Sequence, residues 1–191
     1  MDRTPVTKCT VGLDMSLTST GFCKLSGPVV SLETIKTTPQ SHPVDLNRIM
    51  YIVDSVMTRI PPDVSLICIE DYFIPQSKFQ FGAAINLVGL GTLMRTTLFV
   101  SGMPFFVIAP GQLKKFVTGK GVGQKSLILR EVYKKWGVDA KDDNQADACV
   151  LAKIADAIIE YMKGNKNFPK YQLEVLKKVT KDRPRYNCER L

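Results

Sequence analysis

Three acidic residues, Asp14, Glu70 and Asp147, stand where a purely structural role is strained. Asp14 closes a stretch in which Cys9, Val11 and Leu13 alternate with Thr10, Gly12 and Asp14, so the acid lies on the face opposite the large apolar side chains. Glu70 ends the continuously apolar run Leu66-Ile67-Cys68-Ile69, a pattern of strands buried on both faces in the middle of a sheet. Asp147 is followed at spacings of 3, 4, 7, 11 and 15 by Val150, Leu151, Ile154, Ile158 and Met162, which puts it on the buried stripe of a helix. A carboxylate turned toward a core is costly unless an Arg or Lys, hydrogen bonds or a cation compensates its charge. Taken singly, such an acid is more often a cap, a solvent-facing strand end or an ion-pair partner. Three of them converging would repel one another and so call for a divalent cation. Ligation by oxygen alone suits Mg²⁺ or Mn²⁺ rather than zinc.

A fourth carboxylate is left open by the sequence. Asp143 precedes Asp147 by four residues and shares its helix face. Asp142 is a less favoured choice, Asn144 offers only an amide oxygen, and Asp143 can equally be the N-cap of the helix.

These residues need a framework. Residues 8–35 read as three strands joined by short connections: one through Leu13, a second over Ser19–Leu25 and, after the Gly27-Pro28 turn, a third over Val29–Ile35. Asp45–Ile60 has a helical stripe of Leu46, Ile49, Val53, Val56, Met57 and Ile60, stopped by Pro61-Pro62. Ser65–Glu70 is a strand, Ala83–Val100 a helix and Pro104–Ile108 a strand. Helices follow at Gly111–Val117, Gln124–Trp136 and Asn144–Met162. The order βββαβαβα, then helices, predicts an α/β domain with a mixed sheet flanked by helices. Sequential strands usually neighbour each other. Asp14 and Glu70 should therefore end close together, and a final helix packed on the sheet could bring Asp147 to them.

Composition bounds the rest. A chain of 191 residues, 45% hydrophobic and 23% charged, suits one globular domain with some extension left over. The domain is expected over 1–162, with 163–191 as a basic C-terminal extension. The net charge is +8, and residues 163–191 hold nine Lys or Arg against three Asp or Glu. Such a balance favours polyanionic partners, nucleic acid first. The extension is expected to lie along DNA phosphates. The five cysteines are scattered without a CxxC pair, so neither a disulfide framework nor zinc is suggested. The lone histidine, His42, reads as ordinary surface. No apolar run approaches the ~18 residues of a membrane span, and the N-terminus has no signal-peptide pattern. A cytoplasmic protein is expected.

The acidic motifs, taken in order with their neighbours, resemble those of RuvC-type Holliday junction resolvases, in the ribonuclease H-like nuclease superfamily. Val11-Gly12-Leu13-Asp14-Met15-Ser16 with Thr20-Gly21-Phe22 is similar to the family's opening strand and turn. Ile69-Glu70-Asp71-Tyr72-Phe73 is similar to its second acidic motif. Ala109-Pro110-Gly111-Gln112-Leu113-Lys114 and Thr118–Lys125 resemble its two lysine-bearing segments. Gln145-Ala146-Asp147-Ala148 resembles its closing acidic helix. The match runs over about residues 8–160. It implies a ribonuclease H-like fold with a five-stranded mixed sheet, and a homodimer making paired symmetric nicks in four-way DNA junctions during recombination, repair or replication. It also implies two Mg²⁺ ions per site, with Mn²⁺ able to substitute. Asp14, Glu70, Asp147 and one neighbouring acid, taken here as Asp143, would ligate them. Lys114, Lys120 and Lys125 would contact DNA phosphates, Lys114 and Lys125 near the scissile bond with Lys125 among the catalytic residues, and Phe73 would stack on a base. Met15-Ser16 replaces the Pro-Gly of many members, and Val150 stands three after Asp147 where many carry an acid. Such divergence suits a viral or phage member.

Other readings compete. The same acids could serve a nuclease acting on flaps or RNA–DNA hybrids, or a module that binds junctions without cutting. Gly12–Ser16 with Gly21 also resembles the phosphate-binding opening of actin-like ATPases and sugar kinases, but no glycine-rich adenosine motif accompanies it. Gly119–Ser126 fails as a P-loop because Thr118 and Gln124 stand at required positions. Gly89 and Gly91, inside the helix at 83–100, suggest close packing, either on its own sheet or across a dimer interface.

Overall fold

A computed structural model describes residues 8–43, 45–72, 81–121, 125–182 and 185–188. The strands are β1 (Cys9–Asp14), β2 (Ser19–Ser26), β3 (Val29–Lys36), β4 (Leu66–Glu70), β5 (Phe105–Ile108) and β6 (Arg185–Tyr186). The helices are α1 (Asp45–Met57), α2 (Phe81–Val100), α3 (Pro110–Thr118), α4 (Lys125–Trp136), α5 (Asp143–Met162) and α6 (Lys170–Asp182). No helix among the described residues is long and apolar enough to cross a membrane.

The expected five-stranded mixed sheet is present, in the order β3-β2-β1-β4-β5, and the two-residue β6 extends its edge. β1, β2 and β3 form the antiparallel meander, while β1, β4 and β5 run parallel. Leu13 pairs with Ile69, so Asp14 and Glu70 are the next residues out at the same end of two neighbouring strands. The two-residue period of the strands sorts their side chains into two cores. Val11, Leu13, Ile67, Ile69, Phe105 and Val107 face α1 and α2. Leu66, Cys68, Phe106 and Ile108 face the other way, toward α3, α4, α5 and α6. Glu70 continues the register of Leu66 and Cys68, and Asp14 that of Thr10 and Gly12. Both acids therefore sit on the face that α5 covers.

α5 lies almost directly on the strands. A Cβ built on Gly12 would stand 2.0 Å from the carbonyl oxygen of Ala148 and 2.4 Å from the nitrogen of Ala152. One built on Gly21 would stand 2.1 Å from the carbonyl oxygen of Asn144. Thr10 Oγ1 donates to the Ala152 carbonyl at 3.2 Å, joining strand to helix beneath the same contact. Ala148 and Ala152, small and fully buried, complete the fit.

Two sequence expectations are revised. In α1 the buried residues are Arg48, Ile49, Ile52, Val53 and Val56, whereas Leu46 is 64% exposed, so the stripe is rotated by part of a turn. The segment after 162, read as an extension lying along DNA, instead completes the body. Val175, Leu176 and Val179 of α6 are buried with Leu113, Phe116 and Val117 of α3, and Gln172 Nε2 donates to the Phe116 carbonyl. The lysines that dominate this segment's composition lie on the outer side of an amphipathic helix, which hid its apolar stripe. Tyr186 of β6 stacks on Phe105 at 4.6 Å between ring centroids. Cys9, Cys23, Cys68 and Cys149 are buried free thiols.

Gly12→Ala should destabilise the protein by at least about 3 kcal/mol, because backbone atoms cannot move aside as a flexible side chain can. Gly111→Ala, whose Cβ would meet nothing nearer than 3.9 Å, should change stability little. Urea denaturation of both variants checks this. Equal midpoints would mean that α5 does not rest on Gly12.

Candidate active site

The strand register delivers two of the acids and α5 the third. Asp14 and Glu70 are close enough for their side chains to hydrogen-bond, and the charges of Asp147 and of Lys114 on α3 act on Glu70. Burial pushes the Glu70 carboxyl up from its ordinary value near 4.5 to about 7, and the charge of Asp147 adds to the shift. The hydrogen bond with Asp14 and the charge of Lys114 oppose it. Asp147 Oδ1 is shielded from solvent. Three of the sequence-predicted acids therefore feel one another, with one of the predicted lysines beside them.

The start of α5 is fixed by a network that separates the roles of the adjacent acids. Asp142 is the N-cap: Oδ1 accepts from the Gln145 backbone nitrogen at 2.8 Å, and Oδ2 accepts from Thr34 Oγ1 at 2.9 Å. Gln145 Nε2 donates to the same Thr34 oxygen, and its Oε1 accepts from the Lys141 backbone nitrogen. Asp142 is thus committed to capping and to tying α5 to β3. Asp143 is not the cap. It is the first helical residue, half-buried, one turn before Asp147.

The remaining predicted residues spread outward. Lys120 is exposed in the turn after α3. Lys125 opens α4, but its side chain lies outside the described residues, as does Phe73. His42 packs its ring on Tyr51, at 4.4 Å between centroids, and takes no part in the site.

Among the described residues no group of three or more His, Cys, Asp or Glu side chains is already drawn together as a metal cage. The donor chemistry nonetheless suits a divalent ion. Asp14 lies within hydrogen-bonding reach of Glu70, and burial penalises charge on Glu70. A hard cation in that place would offset that penalty while leaving both groups ionised. Asp14, Glu70 and Asp147 offer only oxygen ligands, which fits Mg²⁺ or Mn²⁺.

No family model matches this sequence, and no curated protein does. Among solved structures, RuvC from Thermus thermophilus matches with a TM-score of 0.59 at 18% identity, covering 82% of this chain and 96% of that one. T. thermophilus RuvC in complex with a Holliday junction substrate matches with the same TM-score at 19% identity, covering 76% and 90%. This chain has the RuvC fold. The ribonuclease H-like arrangement that the motifs implied is therefore the one observed.

Within this RuvC fold, sequence reasoning passed over Arg95. Its Nη2 donates to the Asp71 carboxylate at 3.0 Å and to the Glu70 carbonyl at 3.3 Å, and its guanidinium covers the Tyr72 ring at 4.5 Å. Tyr72 in turn occupies the space that a Cβ on Gly91 would need, 2.8 Å from the nearest ring atom. Arg95 and Gly91 thus fix the chain as it leaves Glu70. A signal was available: Arg95 is the one charged residue in the 20-residue helix α2. A Cβ on Gly89, by contrast, would make only ordinary contact, 3.8 Å from Ile49 Cδ1 of α1. Of the two helix glycines, only Gly91 is explained by packing on its own body.

The raised value of Glu70 predicts a pH dependence. A carboxyl whose folded value exceeds its unfolded one contributes stability that is fully present below about 4.5 and lost as pH rises through about 7. The loss is on the order of 3 kcal/mol. Glu70→Gln keeps a donor toward Asp14 without a titratable group. In metal-free buffer this variant should therefore match wild type at pH 4.5 and exceed it at pH 8. Thermal midpoints across that range are the measurement, and a wild-type curve parallel to that of the variant would contradict a buried, acid-flanked Glu70.

Proposed function

We propose that this protein is a metal-dependent endonuclease that resolves four-way DNA junctions by paired nicks. The observation that carries the reading is the convergence of Asp14, Glu70 and Asp147 at one end of the central strands of a RuvC fold, with Lys114 beside them. The fold supports a junction-cutting activity because a solved neighbour was captured on a Holliday junction substrate.

In this reading Asp14, Glu70 and Asp147, with Asp143 as the fourth acid, hold two Mg²⁺ ions. Bound there, the ions supply water activation and neutralise charge on the departing 3′ oxygen. The chain's own residues do the rest. The β1–β4 register holds Asp14 and Glu70 side by side, and α5 presents Asp147 opposite. Lys114 places a positive charge beside Glu70, where a scissile phosphate would lie, and Lys120 and Lys125, close in sequence, would contact phosphates. Phe73, which directly follows the Tyr72 anchored by Arg95, is positioned in sequence to meet an unstacked base. No step requires a covalent intermediate, and none of the buried cysteines is used.

The primary test is cleavage of a mobile four-way junction in Mg²⁺, comparing wild type with Asp14→Asn and Glu70→Gln. Wild type should give paired symmetric nicks. Both variants should lose at least about 1,000-fold in rate, the scale expected when charge stabilisation at a phosphoryl centre is removed, while still binding the junction. A wild type that binds but leaves the junction intact in Mg²⁺ and in Mn²⁺ would sink the nuclease reading.

Paired nicking requires two sites, and α2 supplies a surface for pairing. Ile85, Gly89, Thr92, Thr96 and Phe99 form an exposed stripe of small and apolar residues along it, flanked by exposed Leu46 and Met50 of α1. A second copy of the chain is the proposed occupant. Sedimentation at micromolar concentration should give a dimer, and Ile85→Asp should give a monomer with unpaired nicks. A wild type that sediments as a monomer, with and without junction, removes the dimer.

A further inference from the structure

Helix α6 is folded against the body so that one side is buried and the other is strongly basic. Its inner side is held by Val175, Leu176 and Val179, by Gln172 on the Phe116 carbonyl, and by Tyr171, whose hydroxyl accepts from Lys135 Nζ at 3.0 Å. On its outer side Lys170, Glu174, Lys177, Lys178 and Lys181 are exposed. Glu174 offsets this row only in part, through the charge of Lys170. Its carboxylate pairs with Lys115 of α3 at 2.6 Å, and that lysine holds it below its ordinary range. Among the described residues Lys177, Lys178 and Lys181 form no ion pair, so the outer side keeps an excess of positive charge.

This row connects to the acids through a shared bend. One surface depression is lined by Glu70, Asp71, Tyr72 and Pro110. A second is lined by Ala109, Gly111, Lys115, Glu174 and Lys178. Ala109, Pro110 and Gly111 are consecutive, so both depressions border the start of α3. A chain of phosphates leaving the acidic site over this bend arrives at Lys178, and at Lys177 and Lys181 within one further turn of α6.

We propose that α6 is a second phosphate-binding surface that carries the sugar–phosphate backbone of a duplex arm away from the acidic site, with Lys177, Lys178 and Lys181 as its contacts. The proposal rests on the reading that branched DNA occupies the acids. It assigns the interaction to the folded helix face, not to a trailing tail. Deleting residues 163–191 would expose Leu113, Phe116 and Val117, so a truncation could not test it. The exposed lysines can be changed without touching the core.

The experiment measures binding of the full-length protein to a four-way junction, without divalent ions, over a series of salt concentrations. Wild type is compared with Lys177→Gln/Lys178→Gln/Lys181→Gln and with the matching triple arginine variant, and thermal midpoints are recorded for each. The glutamine variant should keep its midpoint and bind roughly ten-fold more weakly or worse. Its slope of log affinity against log salt should shrink by about 2–3, close to 0.9 for each phosphate that is no longer neutralised. The arginine variant should retain wild-type affinity and slope. Glutamine and wild-type proteins with the same affinity and slope would overturn the α6 surface while leaving junction binding and cleavage standing. A wild type that fails to bind junction at low salt would overturn both this proposal and the nuclease reading.

Discussion

The contact between α5 and the two glycines beneath it is the constraint on which the site depends. A helix normally stands off a sheet by the thickness of its side chains, which would leave an acid on α5 too far from acids at the ends of strands. Gly12 and Gly21 remove that thickness, and Ala148 and Ala152 reduce it from the other side. The backbone of α5 then touches the backbone of β1 and β2, and Asp147 comes within electrostatic reach of Glu70. The Asp142 cap, bonded at once to α5 and to Thr34 on β3, sets where along the sheet the helix begins. One interaction fixes the height of α5 and the other its axial position.

The electrostatics of the site follow from that closeness. The fold forces an acid toward a core and holds two others near it, an arrangement that opposes stability at neutral pH. The side-chain contact with Asp14 and the charge of Lys114 offset part of that cost on Glu70. Arg95 binds the neighbouring Asp71 and the Glu70 carbonyl and forms no ion pair with the Glu70 carboxylate, on which the charges of Asp147 and Lys114 act. A site under this tension is suited to take up a divalent ion, since binding would relieve the tension. On the proposed reading, the strain of the ion-free protein and its catalytic capacity have one origin.

The C-terminal part shows how a fold is extended without disturbing its site. α6 covers the outer surfaces of α3 and α5, and β6 caps the free edge of β5, where an unpaired strand would otherwise face solvent. Both additions sit beyond the elements that bear the acids. α6 nevertheless buttresses α3 through the Lys115–Glu174 pair and the Gln172 hydrogen bond, and α3 carries Lys114. Stability and surface charge are thereby added by the same helix.

Much of this protein is set by its sequence alone. Strict alternation in β1 and the closed apolar run in β4 assign their residues to faces, because a pleated strand has a period of two and cannot place Asp14 or Glu70 otherwise. The helical spacing after Asp147 likewise commits that acid to the inner side of α5. The tertiary structure decided what distance and partner choice control. The sequence favours Asp143 over Asp142 near Asp147 and leaves Asp143 open as the cap; the structure makes Asp142 the cap through the Gln145 backbone nitrogen and ties its other oxygen to Thr34 of β3. Arg95 lies 25 residues from Glu70 along the chain and meets it only because α2 crosses beneath β4. The basic composition after residue 162 pointed to an extension, but its three buried apolar residues acquire meaning only against the α3 surface that they cover. Local periodicity fixes which way a side chain faces. Long-range packing fixes which other side chain it finds there.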